Sequence, residues 1–264
     1  MKRRRRLLKK SRPWNNRKKH KLVKNVHIGC SGWNYGHWKG RFYGRKTSSE
    51  GWFAEYSSIF STVEINNTFY RLPEPPTFKS WEKQAPENFI YAVKANRYIT
   101  HMKKLKDPRG PVDRFLGRAG MLGGHLGPVL FQLPPRWRVN PERLDAFTDI
   151  LPGRIKCVFE FRDPSWYRDD IYRILERKKM SLCLHDMKGS ASPVLPVGPV
   201  CYIRFHGTTG LYGGKYPVRK LREWAGIIKE QATRGREVYA YFNNDAGANA
   251  PKDALKLIEL AGKD

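Results

Sequence analysis

Thr62-Val63-Glu64-Ile65-Asn66-Asn67 is a short β-branched and aliphatic run that carries one carboxylate and ends in two amides. A run of that length and composition reads as a strand. If both strand faces are buried, the Glu inside it needs a paired partner or a ligand. The same figure recurs in seven more places. They are His27-Ile28-Gly29-Cys30-Ser31, Phe89-Ile90-Tyr91-Ala92-Val93-Lys94, Pro128-Val129-Leu130-Phe131-Gln132, Lys156-Cys157-Val158-Phe159-Glu160, Ser181-Leu182-Cys183-Leu184-His185-Asp186, Cys201-Tyr202-Ile203-Arg204-Phe205-His206 and Glu237-Val238-Tyr239-Ala240-Tyr241-Phe242-Asn243-Asn244-Asp245. Most neighbouring runs are separated by a stretch patterned like a helix. Eight strands alternating with helices predict an α/β fold, a (β/α)8 barrel of TIM type. In that fold the chemistry sits at the C-terminal strand ends, which is where the polar residues fall here.

The 264 residues suit one barrel over residues 25–264, since the fold occupies ~250 residues. Ahead of it, residues 1–24 hold 13 Lys or Arg and no acid, and read as a disordered basic arm. Such an arm binds nucleic acid through counterion release, or is a solubilising tail. The whole chain carries 51 Lys and Arg against 24 Asp and Glu, so the body is basic too. The arm is too charged to be a signal sequence or a membrane span. Cys30, Cys157, Cys183 and Cys201 fall in or at the ends of strand runs without paired spacing, which predicts buried thiols and a cytoplasmic protein rather than a disulfide framework or zinc site.

Outside the strands, Trp52, Phe53, Tyr56, Ile59 and Phe60 have helical spacing and read as a core-facing helix. A short helix is expected around Phe78 to Gln84, and Pro marks helix starts after Asn140 and Ala250. Ser190 to Pro199 is rich in Pro, Ser and Gly, and predicts a loop or degenerate helix between strands six and seven.

Successive strand residues face opposite sides, so Glu64 with Asn66, Glu160 with Arg162, and Tyr202 with Arg204 and His206 form three sets aimed at one mouth. Lys94 and Gln132 complete the ring. Two carboxylates on separated strands permit general acid and base roles or one divalent metal, and the cofactor is otherwise open. A buried salt-bridge network would use the same residues. His101, His185, His206, Asp186 and Asp245 would be the donors of a metal centre, although no HxH or HExxH spacing occurs. Gly207 to Gly214, beside Lys215, follows strand seven, where barrels bind phosphate on loop amides, and it reads equally as a glycine-hinged lid. Trp33, Tyr35, Trp38, Tyr43, Phe69, Tyr70, Trp166 and Tyr212 are expected on mouth loops, for stacking on bases or sugars or for loop packing.

Several blocks, among them Gly29-Cys30-Ser31-Gly32-Trp33, Thr62 to Pro73, Val93-Lys94-Ala95, Ile99-Thr100-His101, Leu130 to Pro135, Glu160-Phe161-Arg162, Arg204 to Gly207 and Tyr241 to Asp245, resemble the signature of the YecE-like family, a domain of unknown function. The resemblance runs in order over about residues 26–262. It implies a TIM-type barrel and no established reaction; a fold likeness to endonuclease IV-like barrels suggests nucleic-acid processing. Two positions depart from the family pattern. Asp163 stands where relatives usually have His, and Lys252-Asp253 replaces a pair that ends in Asn.

The expectation is an enzyme acting on a phosphate-bearing substrate such as nucleic acid or a nucleotide, by nuclease-like hydrolysis. Glu64 or Glu160 would be general base or metal ligand, Lys94 and Arg204 would neutralise phosphate, and His101 or His206 would be general acid. Trp33, Asn66, Tyr70, Gln132, Arg162, Asn243 and Asp245 would bind substrate. A noncatalytic nucleic-acid-binding barrel and a sugar-phosphate isomerase or lyase are the alternatives.

Overall fold

Each run becomes a strand because its apolar residues alternate between two buried environments: barrel interior and helix layer. The strands are β1 (Val26–Cys30), β2 (Thr62–Ile65), β3 (Ile90–Lys94), β4 (Leu126–Gln132), β5 (Cys157–Glu160), β6 (Ser181–Asp186), β7 (Val200–Phe205) and β8 (Glu237–Phe242). They pair in parallel and in chain order, and β8 closes on β1 over five registered pairs. This is a computed structural model that describes residues 24–210 and 212–262. The expected basic arm lies outside the described residues, except for Lys24.

The helices are α1 (Trp52–Ser57), α2 (Asn67–Tyr70), α3 (Pro75–Gln84), α4 (Arg109–Ala119), α5 (Pro141–Asp149), α6 (Asp169–Arg177), α7 (Val218–Thr233) and α8 (Asn249–Ala261). The expected caps are present. Asn140 Oδ1 accepts the Arg143 N–H at 2.9 Å, with Pro141 at the first helical position. No helix forms between β6 and β7, where Pro, Ser and Gly break the pattern. None of the described helices is long and apolar enough to cross a membrane.

Two cores result. The larger lies between strands and helices and includes Trp52, Phe53, Tyr56 and Phe60, as their spacing predicted. The smaller fills the barrel with Ala92, Leu130, Val158, Cys183, Tyr202, Tyr239 and Tyr241. Membership of the inner core fixes the phase of each strand, so Glu64, Lys94, Glu160, His185 and Arg204 must point inward above it. All four cysteines are free and buried, and burial raises each thiol pKa, so they are inert packing groups.

One seam of the barrel is held by a side chain. β1 and β2 register only at Cys30 and Val63. Beside that pair the Tyr56 hydroxyl accepts the Cys30 N–H at 2.8 Å and donates to the Thr62 carbonyl at 2.9 Å. Gly29 is required there, because a Cβ would stand 2.3 Å from the Thr62 oxygen.

Candidate functional site

In one set of mouth residues, from β2, β5 and β7, every charge is matched. Glu64, from β2, is fully buried. It accepts Ser31 Oγ at 2.7 Å, the Tyr202 hydroxyl at 2.7 Å, and Arg204 Nε and Nη2 at 2.9 and 2.7 Å. Arg204 Nη1 crosses to Glu160 Oε2 at 2.6 Å. Arg162 Nε pairs with the other Glu160 oxygen. Arg162 also donates to His206 Nε2 at 2.8 Å and to Met187 Sδ at 2.9 Å. Two carboxylates and two guanidiniums therefore form one neutral network inside the barrel.

Burial alone would raise both carboxyl pKa values. For Glu64 the Arg204 charge and the hydrogen bonds from Arg204, Ser31 and Tyr202 more than offset it, so the carboxyl sits below its ordinary range. For Glu160 the charges of Arg162 and Arg204 do the same more strongly. His206 is pushed down to about 3 by burial and then by Arg204, so it is neutral and accepts from Arg162. Neither carboxylate is poised to exchange a proton near neutrality.

Other mouth residues have no such match. Lys94 ends β3, and its ammonium makes no hydrogen bond to a described residue. It lies 4.0 Å from the centroid of the Phe69 ring. That ring is held there by α2, where Thr68 Oγ1 donates to the Lys94 carbonyl at 2.7 Å and the Asn96 amide donates to the Thr68 carbonyl at 2.9 Å. Burial and then the Arg204 charge pull the lysine down to about 7, against the weaker raising pull of Glu160 and Glu64, which the two arginines pair. His101 packs edge-on to the same Phe69 ring at 4.9 Å and bonds Thr100 Oγ1 at 2.9 Å. Burial, then Lys94 and Arg97, lower it to about 4.

His185, on the inward face of β6, is 2 % exposed, with its ring 6.3 Å from that of His206. Neither ring nitrogen has a hydrogen-bond partner among the described residues. The Ser190 backbone carbonyl lies near enough to favour the protonated ring, but burial outweighs it. Burial leads its shift down to about 4.

The remaining expected residues divide. Asn66 accepts weakly from Arg204 at 3.4 Å, Asn243 lies 3.4 Å from His206 Nδ1, and Gln132 is half-buried at the β4 end. Asp245 is drawn to His37 at 3.4 Å in the loops. Trp33 is half-buried and packs on Phe53 and Trp81 against the outer core. Trp38, Tyr43 and Trp166 are buried, whereas Tyr70 and Tyr212 are exposed. The expected metal centre is not assembled. Asp186 follows His185 on the opposite strand face and binds Lys220 and Trp224 of α7, and among the described residues no three His, Cys, Asp or Glu could hold an ion. In the glycine-rich loop after β7, the Thr208 N–H donates to the Gly213 carbonyl and the Gly207 N–H to the Tyr216 hydroxyl, so these two amides are already engaged.

Ser31, which follows β1 directly, was not singled out as a site residue, although its place at the end of an inward-facing run was a usable signal. Tyr202 and Phe69 were placed at the mouth, the one by alternation and the other among the loop aromatics, but without a role.

The two family departures have local explanations. Asp163 accepts from the N–H and Oγ of Ser165 and caps a short turn. Asp253 is fully buried and accepts Tyr216 N and Asn244 Nδ2 at 3.0 and 2.8 Å.

The family model described as "Protein of unknown function DUF72" matches residues 27–264. The UPF0759 protein YunF of Bacillus subtilis is 26 % identical over 268 residues, covering 89 % of this chain and 94 % of that protein. The UPF0759 protein YecE of Escherichia coli is 31 % identical over 145 residues, 54 % of this chain and 50 % of that protein. The crystal structure of a DUF72 family protein from Thermotoga maritima superposes with a TM-score of 0.81 at 25 % identity, covering 89 % of this chain and 98 % of the other. One from Enterococcus faecalis gives 0.77 at 18 % identity, covering 90 % and 97 %, which speaks for the fold alone. With a closed eight-stranded barrel and a family match that runs from the first strand to the end of the chain, this protein belongs to the DUF72 family, the YecE-like proteins of unknown function.

Proposed function

We propose that the barrel is an enzyme that holds the anionic group of a phosphate-bearing substrate, a nucleotide or a nucleic acid, at Lys94. The observation that carries this reading is the charge count of the mouth: two carboxylates, two guanidiniums, and one lysine over. A single anionic group would balance it and would raise the lysine pKa again. Lys94 would then neutralise charge developing on the phosphoryl group, and His101, beyond the same aromatic ring, would be its partner in proton transfer. Glu64 and Glu160 become positioning residues. They hold Arg204 and Arg162 rigid rather than acting as bases.

A second reading is favoured by the same amine. A lysine near pKa 7 without a hydrogen bond suits imine formation with a carbonyl substrate, in which the amine attacks carbon and water leaves, as an isomerase or lyase would use it.

Calorimetric titration with inorganic phosphate and nucleoside monophosphates tests the first reading. Saturable binding should weaken as pH rises through about 7, be lost in Lys94→Met, and survive in Lys94→Arg. Equal binding by Lys94→Met and the parent would overturn it. Turnover of phosphoesters by the parent alone would separate an enzyme from a binding protein. Trapping of a carbonyl compound on Lys94 by borohydride would favour the second reading.

A further inference from the structure

After β3 the chain crosses the rim of the barrel before entering α4, and this rim has a surface of its own. It carries Arg97, Lys103, Lys104, Lys106, Arg109 and Arg114 against Asp107 and Asp113. None of the six cations is ion-paired among the described residues; Arg118, further along α4, is the one cation here that is, with Glu74 at 3.0 Å. Tyr98 is 42 % exposed and Met102 64 %, and Tyr70, in α2, is 71 % exposed. Lys103 Nζ stands 5.9 Å from the Tyr98 ring.

A cleft of about 550 Å³ opens beside Tyr98 and Arg114, lined also by Leu72, Glu74, Asn96, Phe115 and Arg118, where Glu74 is paired with Arg118. That volume is in the range that takes a small planar ligand, ~300–1,000 Å³. The rim is anchored. Ile99, Thr100 and Leu105 are buried beneath it, the Leu105 N–H bonds the Ile99 carbonyl at 3.0 Å, and Lys104, Leu105 and Asp107 all hold positive φ. Tyr98 and the lysines are therefore presented outward on a fixed backbone.

We infer that the β3–α4 rim is an interface for single-stranded nucleic acid, with phosphates on Lys103, Lys104, Lys106 and Arg114 and a base entering the cleft against Tyr98. Unpaired cations alone would attract any polyanion. The exposed aromatic faces and the concave cleft select a strand whose bases are free to stack, which duplex bases are not. A lipid surface fits less well, because the apolar groups flank a concavity and Met102 is the only exposed aliphatic among them. The inference does not rest on Lys94, which is not part of this surface.

Fluorescence anisotropy of the full chain with labelled oligo-dT and oligo-U, across a salt series, tests it. Tyr98→Ala should weaken binding ~10-fold or more, the loss that accompanies one base–aromatic stack, and Tyr98→Phe should restore it. Lys103→Glu with Lys104→Glu should flatten the slope of log affinity against log salt by ~1.4, the value for two phosphates on a single strand. A photoreactive uracil in the oligonucleotide should crosslink to Tyr98. Unchanged affinity in both variants, with crosslinks only in residues 1–24, would overturn the inference and give all binding to the arm. Loss of binding to anionic phospholipid vesicles, with oligonucleotide binding intact, would overturn it in favour of a membrane. Inorganic phosphate is the separating probe: Tyr98→Ala and the Lys103→Glu, Lys104→Glu pair should bind it as the parent does while they lose oligonucleotide, whether or not Lys94 is its site.

Discussion

Two sets of residues at the barrel mouth behave differently. Glu64, Glu160, Arg162 and Arg204, carried by β2, β5 and β7, satisfy one another in a buried network. Lys94 on β3 and His185 on β6, whose strands interleave with those three around the barrel, are buried with their side-chain nitrogens unbonded by described residues. A buried polar group without a partner is costly, and it is kept where a ligand or water completes it. The matched set serves as scaffold in our reading, and the unmatched residues carry the proposed chemistry.

The largest effect that could break this contrast is Arg204→Met. It leaves two fully buried carboxylates facing each other, and should cost ~3–5 kcal/mol in urea unfolding. The parent owes stability to carboxylates whose folded pKa values are depressed, so it keeps that stability above their unfolded values and loses it as pH falls through the folded ones. In Arg204→Met the slope should invert, with the variant gaining relative stability in acid. A small cost with an unchanged acid limb would mean that the network is not what holds the mouth.

Lys94→Met should do the opposite, since it removes a buried charge that has no carboxylate of its own. The folded pKa, near 7, lies below the unfolded 10.5. Between these values the unfolded chain binds more protons, so parent stability rises with pH across that window and is lowest below it. The variant should be more stable than the parent at pH 6, on the order of 2 kcal/mol, and flat across the window. A destabilised Lys94→Met would place the lysine in the scaffold set.

Asp253→Asn is the smallest and sharpest comparison, because it asks whether an unsatisfied group away from the mouth is also functional. Asp253 Oδ1 and Asn244 Oδ1 are both buried without partners, and Asp253 is raised by burial. An amide at 253 supplies the missing donor. We expect a gain of ~1 kcal/mol at neutral pH. The parent should lose stability as pH rises from 3.8 through the raised pKa, and the variant should not. Phosphate binding should be unaffected in Asp253→Asn.

Much of the scaffold was readable in the chain. The eight runs, the caps at Asn140 and Pro141, and the helix-free Ser190 to Pro199 segment are local patterns, so they could be read without knowing what lies across the barrel. Strand alternation aimed Glu64, Lys94, Glu160 and Arg204 at one place. The same rule, applied to β6 from Cys183, would have turned Asp186 outward to α7 and removed it from any metal set. The loop aromatics were not readable in this way. Trp33, Trp38 and Tyr43 share composition with Tyr70 and Tyr212, and what separates buried from exposed is the closing of loops far apart in sequence.

The sequence by itself determined the barrel, the end of it that carries the polar ring, and the residues in that ring, because strand period and strand ends are properties of neighbouring residues. Only the tertiary structure decided which charges cancel. Glu64 and Arg204 are 140 residues apart and Arg204 reaches Glu160 as well, so the pairing depends on distances across the barrel. That pairing leaves Lys94 with no carboxylate bonded to it among the described residues, and burial draws its pKa down to about 7.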